Sequence, residues 1–203
     1  MAYLDKETYH INKDNFIKRK TKKDQIIISF SLRKKDNHIT HLKHKEYGKT
    51  KKWNTYTISR NGTIYEHYDP NYYSNFMNMK KIDKKSISIV LENMCSLIKI
   101  NENDYVNWLN EKCSIDKTIK KSFLGLHYWE LIPDEQFRST VDLCGKLCDR
   151  FNIPKRIIDF HHYNSNINKF SGIVLKSNYI ESTTAINPLF SLQKFNEILQ
   201  LEY

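Results

Sequence analysis

Gln25-Ile26-Ile27-Ile28-Ser29-Phe30-Ser31-Leu32 is the stretch on which the fold turns. The run is β-branched, lacks a polar alternation and is closed by Arg33-Lys34-Lys35, which predicts a buried strand. Downstream, residues 33–52 read as a basic, His-bearing loop or short helix. Thr55-Tyr56-Thr57-Ile58-Ser59 and Thr63-Ile64-Tyr65-Glu66-His67-Tyr68 then flank Arg60-Asn61-Gly62. The Asn-Gly pair tolerates positive φ, so these two runs predict a hairpin. After an aromatic, Asn-rich loop over residues 69–84, Ser86–Glu92 predicts another strand.

The C-terminal half is more helical. Phe137, Val141, Cys144, Leu147, Cys148 and Phe151 recur at helical spacing after Pro133, and Asn152-Ile153-Pro154 ends the segment. Ile157–His162 reads as a short strand or turn, Ser171–Lys176 as a last strand, and Phe190, Phe195, Ile198 and Leu199 as a C-terminal helix. Strands mixed with two helices give an α/β domain with a mixed central β-sheet flanked by helices. Its expected span is 24–203, with 96–132 as an insertion containing a hairpin or short helices. Residues 1–23, polar and ending in Lys18-Arg19-Lys20-Thr21-Lys22-Lys23, are expected to form a basic N-terminal arm.

With 203 residues, of which 39% are hydrophobic, the chain is long enough for one well-cored domain. No run approaches the ~20 apolar residues of a membrane span, and Met1–Lys6 lacks an apolar signal segment. Four cysteines make no disulfide scaffold at this length, and Cys144 and Cys148 fall on the apolar helical stripe, as buried free thiols do. A reducing compartment suits them. The net charge of +10 is uneven: residues 1–100 hold 21 Lys and Arg against 10 Asp and Glu, and residues 101–203 hold 12 against 13. That asymmetry marks Lys18, Arg19, Lys20, Lys22, Lys23, Arg33, Lys34 and Lys35 as candidate contacts to a polyanion such as nucleic acid.

The ordered set of motifs resembles the zinc-dependent N-acetylmuramoyl-L-alanine amidase and peptidoglycan-recognition family. Tyr56–Tyr65 resembles its tyrosine-bearing strand, Arg-Asp-Gly turn and returning strand. Ser86–Asn93 looks like its S-I-G-I-E-L-E-N strand. Pro133-Asp134-Glu135-Gln136 leads into its long helix, and Gly172-Ile173-Val174-Leu175-Lys176 matches a strand ending in a ligand His. The set is nearest to amidases of phages and AT-rich bacteria. The resemblance implies a zinc hydrolase whose metal polarises an amide and activates water. This sequence departs from it at every chemical position. The three ligand positions read Ser29 (or Ser31, on the same strand face), Lys176 and Asn187, and zinc needs imidazole, thiolate or carboxylate donors. Asn54 stands where a catalytic hydroxyl is common, and Val90 replaces an acid while Glu92 remains.

Neither His38-Ile39-Thr40-His41-Leu42-Lys43-His44 nor His161-His162 offers a replacement site. The first reads as a basic exposed segment and the second as a turn in which adjacent side chains diverge. The chain lacks a Gly-x-Ser-x-Gly elbow and a Walker loop. The expectation is therefore a catalytically inactive amidase-like module without catalytic residues, metal or cofactor, serving as a structural or binding part of a phage neck or tail. Its expected location is the virion or the host cytoplasm, among other virion proteins, with peptidoglycan and nucleic acid as further partners. If the ancestral ligand is kept, Asn54, Tyr72, Tyr73, Phe76 and Glu92 are the candidate cleft, with Trp53 as another stacking surface. The alternative is a peptidoglycan-binding or active endolysin-type amidase.

Overall fold

Ile26, Ile27 and Ile28 are completely buried, as a central strand requires. The computed structural model describes residues 3–34, 37–181 and 186–202, so Lys35 lies outside the described residues. In chain order the elements are β1 (Leu4–Asp5), β2 (Gln25–Phe30), α1 (Asn37–His44), β3 (Tyr56–Ile58), β4 (Ile64–Glu66), α2 (Lys80–Lys85) and β5 (Ser86–Leu91). These are followed by β6 (Ser96–Lys99), β7 (Tyr105–Val106), β8 (Lys112–Cys113), β9 (Thr118–Phe123), β10 (Leu126–Glu130), α3 (Asp134–Phe151), β11 (Gly172–Leu175) and α4 (Leu192–Glu202).

The main sheet has six strands in the order β1-β4-β3-β5-β2-β11. Strands β11, β2, β5 and β3 run parallel, while β4 returns antiparallel to β3 across the predicted hairpin. This is the mixed sheet that the sequence predicts. Gly62 closes the turn at φ +82°, where a Cβ would lie 2.7 Å from Ser139 Oγ and 2.8 Å from the Glu135 carbonyl oxygen. The turn therefore needs glycine both for its backbone angle and for its close seat on α3.

Alternation along each strand gives the sheet two different faces. Ile28, Ile89 and Tyr56 align in register on one of them. That side joins Phe137, Val141, Cys144 and Leu147 of α3 and Phe195 and Leu199 of α4 in the main core. As predicted, α3 starts after Pro133 and ends at Asn152, whose left-handed φ of 53° stops the helix. All four cysteines are free and buried.

The other face carries a second core of Ile11, Phe16, Ile39, Leu42, Trp53 and Tyr68. The expected loose arm is therefore corrected: residues 3–23 are a packed part of the domain. β1 adds to the sheet edge beside β4, Ile17 bridges to Tyr73, and Phe16 stacks on Tyr68 with ring centroids 5.0 Å apart. Apolar residues spaced irregularly among lysines supplied the burial that composition alone concealed.

The region 96–132 is also corrected, from a hairpin or short helices to a second sheet of five antiparallel strands ordered β8-β7-β6-β10-β9. Its strands are as short as two residues, too short for alternation to show. Met94, Leu97, Tyr105 and Cys113 form its small core. The loop expected over 69–84 ends in α2, anchored by Asp83, whose carboxylate accepts the Met77 and Met79 N–H groups at 2.8 and 3.0 Å. Among the described residues no helix is long and apolar enough to cross a membrane.

Candidate functional site

Four parallel strands end on the same edge of the main sheet, the place where open α/β sheets present ligand-binding residues. Leu175 pairs with Ile28 and Ser29 pairs with Val90, so Lys176 and Ser29 follow one another across that edge. Ser29 is buried there. Ser31 lies beyond the strand, where its hydroxyl caps the loop through the backbone of Asn93 and Arg33.

The Lys176 ammonium sits 4.6 Å from the centre of the Phe76 ring, a favourable cation–π contact. Burial lowers its pKa, and the Asp83 carboxylate acts in the opposite direction. Burial also raises the pKa of Asp83, against the two N–H groups that stabilise its charge. Asn187 is fully buried. Its amide nitrogen donates to Asn93 Oδ1 and to the Glu130 carbonyl, both at 2.9 Å, and its Oδ1 accepts the Leu189 N–H at 3.0 Å. Both amide protons are thus committed to tying the 187–190 turn to the two sheets.

Beside this edge a chain of hydrogen bonds runs through the second face. His67 Nδ1 lies 3.0 Å from the Tyr9 carbonyl, which can only accept, so Nδ1 carries the proton. Burial lowers the His67 pKa to about 4, leaving Nε2 as an acceptor for the Thr57 hydroxyl at 2.8 Å. Thr57 Oγ1 in turn accepts from Asn54 Nδ2 at 2.8 Å, and Asn54 Oδ1 accepts from His38 Nε2 at 2.9 Å. Burial pushes the His38 pKa down to about 4 as well, with Arg33, His41 and Lys176 adding positive charge nearby. The chain therefore fixes both imidazoles as neutral tautomers in opposite senses: His67 protonated on Nδ1, His38 on Nε2.

This corrects the reading of residues 38–44 as merely exposed: α1 buries Ile39 and Leu42 and hooks His38 onto Asn54. Sequence reasoning had named Asn54 alone among these residues. His38, Thr57 and His67 come from three elements and share no motif, and their signal was only that each is polar beside buried neighbours.

The remaining candidates scatter. Tyr73 is buried, Tyr72 stacks on Phe16, and Phe76 packs on the main core, so these rings support the fold instead of lining an open groove. Trp53 is buried against His67 with centroids 5.1 Å apart. Glu92 is buried at the end of β5, where its backbone ties β3 to Gln136 of α3. Of the polyanion candidates, Lys18, Arg19, Lys20, Lys22 and Lys34 are exposed, and Arg33 lies over the Trp108 ring at 5.9 Å. Lys23 is not a surface cation: it is 2% exposed and donates to the carbonyls of Tyr72, Lys84 and Ser86 at 2.8, 3.1 and 3.2 Å. Among the described residues no group of three or more His, Cys, Asp or Glu is arranged to hold a metal ion.

The family described as N-acetylmuramoyl-L-alanine amidase matches residues 19–172. No curated protein sequence matches this chain significantly. Among solved structures, the N-acetylmuramoyl-L-alanine amidase LysC from Clostridium intestinale superposes with a TM-score of 0.55 at 14% identity, covering 98% of this chain and 96% of that one. The endolysin amidase LysCS from the same organism gives 0.57 at 13% identity, covering 98% and 97%. AmiD from E. coli, in complex with anhydro-N-acetylmuramic acid-L-Ala-D-γ-Glu-L-Lys, gives 0.55 at 12% identity, covering 94% and 66%. At these identities the likeness is one of fold.

Proposed function

From the premise that the chain belongs to the N-acetylmuramoyl-L-alanine amidase family, we propose that it is a catalytically inactive member whose fold serves as a structural or binding module, a neck or tail component of a phage virion. One observation carries the loss of catalysis. The residues at the three positions that hold zinc in the resemblance are a buried hydroxyl, an ammonium over an aromatic ring and an amide whose protons are both committed. Such donors do not fit zinc, and no hydrolytic step is derived through a metal here. Moreover, α1 and residues 3–23 pack over the sheet face on which Ser29 and Thr57 lie. The virion role rests on the phage-like character of the motifs and on fold likeness to an endolysin.

Metal content by mass spectrometry, with release of stem peptide from sacculi in added Zn²⁺, tests the first part. We expect neither zinc nor release. Near-stoichiometric zinc with release would establish the alternative, an active wall amidase. Cosedimentation with sacculi separates a retained peptidoglycan-binding role from a purely structural one.

A further inference from the structure

The hairpin turn of the main sheet and the small sheet together wall a cavity of about 530 Å³ on the far side of Glu130 from Asn187, lined by Lys34, Arg60, Lys112, Lys117, Glu130 and Cys113 among others. Arg60 grips Glu130 through two parallel bonds, Nε to Oε1 at 2.7 Å and Nη2 to Oε2 at 2.9 Å, and Nη2 also donates to the Arg33 carbonyl. Its remaining nitrogen, Nη1, is buried without an acceptor among the described residues. A structural ion pair between the sheets explains Nε and Nη2. It does not explain a buried guanidinium donor left unmatched, which is a cost to the fold unless a ligand supplies the acceptor.

The charge around the cavity points to the ligand. Four cations (Lys34, Arg60, Lys112 and Lys117) face two carboxylates, Asp104 and Glu130, leaving two positive charges in excess. Met94 and Cys113 add an apolar wall. The planar fork of Arg60, which suits a carboxylate, is already occupied by Glu130. What remains is one N–H edge and three flexible ammonium groups, which act as point charges around a compact, multiply charged oxyanion. We propose that this cavity binds a small phosphate monoester, with the phosphoryl group between Arg60 Nη1 and the lysines and the organic part on Met94 and Cys113. The site is independent of the sheet edge that carries Lys176, and it stands whether or not the chain hydrolyses peptidoglycan.

Calorimetric titration of the whole chain with ribose 5-phosphate, inorganic phosphate and succinate tests this. We expect ribose 5-phosphate to bind most tightly, with affinity falling as salt rises, and K112Q/K117Q to weaken it by roughly tenfold or more, as loss of charge-assisted contacts does. Both substituted lysines are on the small sheet, away from the main core. A second readout locates the site without any substitution. Cys113 lines the cavity, whereas Cys95, Cys144 and Cys148 do not, so bound ester should slow maleimide labelling of Cys113 selectively. Absence of binding at millimolar ester, binding unchanged in K112Q/K117Q, or Cys113 labelling unaffected at saturation would overturn the site. Equal affinity for succinate or for inorganic phosphate would overturn the phosphate-ester assignment.

Discussion

Where Ile28, Ile89 and Tyr56 line up across β2, β5 and β3, they meet helices in a core that holds Phe137, Phe190 and Phe195. One residue further along the same strands, Ser29, Val90 and Thr57 face the opposite way, and the contacts there are hydroxyls, amides and two neutral histidines. The first face is held by area removed from water, which is non-directional and tolerates exchange among apolar residues of similar volume. The second depends on each partner being present, because a buried polar group that loses its partner bears its full desolvation cost. The family's shape thus rests mainly on the face away from the edge where its chemistry would sit. This lets the shape persist while residues at that edge change.

The largest expected effect belongs to the apolar face. Phe195 is completely buried and packs edge-on to Phe137 at 6.0 Å and against Phe190 at 5.6 Å. Phe195→Ala should cost about 3–5 kcal/mol in urea unfolding. A cost below that of the polar-face substitution described below would break the comparison, because it would show that α4 contributes little to the core.

Next comes acid. His67 and His38 both have pKa values lowered to about 4 from an ordinary 6.5. The unfolded chain therefore binds more protons than the folded one between those values. Their contribution is complete above pH 6.5 and is lost as pH falls towards 4, on the order of 3 kcal/mol for His67 alone. Carboxylates titrate near the lower end of this window, so the measurement is a difference. Stability of wild type and His67→Gln is followed from pH 7 to pH 4, and the variant should show a shallower slope between 6.5 and 5. Identical slopes would mean that His67 is already charged in the fold and that the hydrogen-bond chain runs differently.

The contrast between faces also explains what the sequence disclosed. β2, the hairpin, β5, α3, β11 and α4 were legible because each carries its own periodicity or turn residues, as with Ile26-Ile27-Ile28, Asn61-Gly62 or the stripe from Phe137 to Phe151. The packing of residues 3–23 was not, because Ile11 and Phe16 are isolated apolar residues whose burial depends on Tyr68 and Trp53 some fifty residues away. The small sheet escaped because β7 and β8 hold two residues each. At the candidate site, the positions of Ser29 and Lys176 followed from the strands that carry them. The links from His38 to Asn54 and from Thr57 to His67 join residues distant in sequence through side-chain chemistry, which no local pattern encodes.

Asn54 is the sharper probe of the polar face. Asn54→Ala removes the acceptor of His38 and the donors to Thr57 and the Tyr56 carbonyl. We expect a loss of about 1–3 kcal/mol, the range for leaving buried polar groups unpaired. NMR of the imidazole nitrogens gives a second check: His38 should lose its single Nε2–H tautomer while His67 keeps its Nδ1–H bond to Tyr9. Loss of both tautomers together would show that the chain acts as one cooperative unit.

The smallest effect should lie outside both faces. Lys146 and Asp142 form an i,i+4 pair at 2.9 Å on the solvent side of α3, with half of the lysine side chain exposed. Lys146→Ala should change stability by about 0.3–0.5 kcal/mol, and high salt should erase the difference. The Coulomb attraction is weak in water, and holding a long side chain in one rotamer offsets part of it. The same helix carries Phe137 and Val141 into the core, so the two ends of the scale share a backbone and differ only in what surrounds the side chain. If Lys146→Ala approached the cost of Asn54→Ala, burial would no longer be the variable that separates the regions. The helical propensity of α3 would then have to be counted as a third contribution beside the two faces.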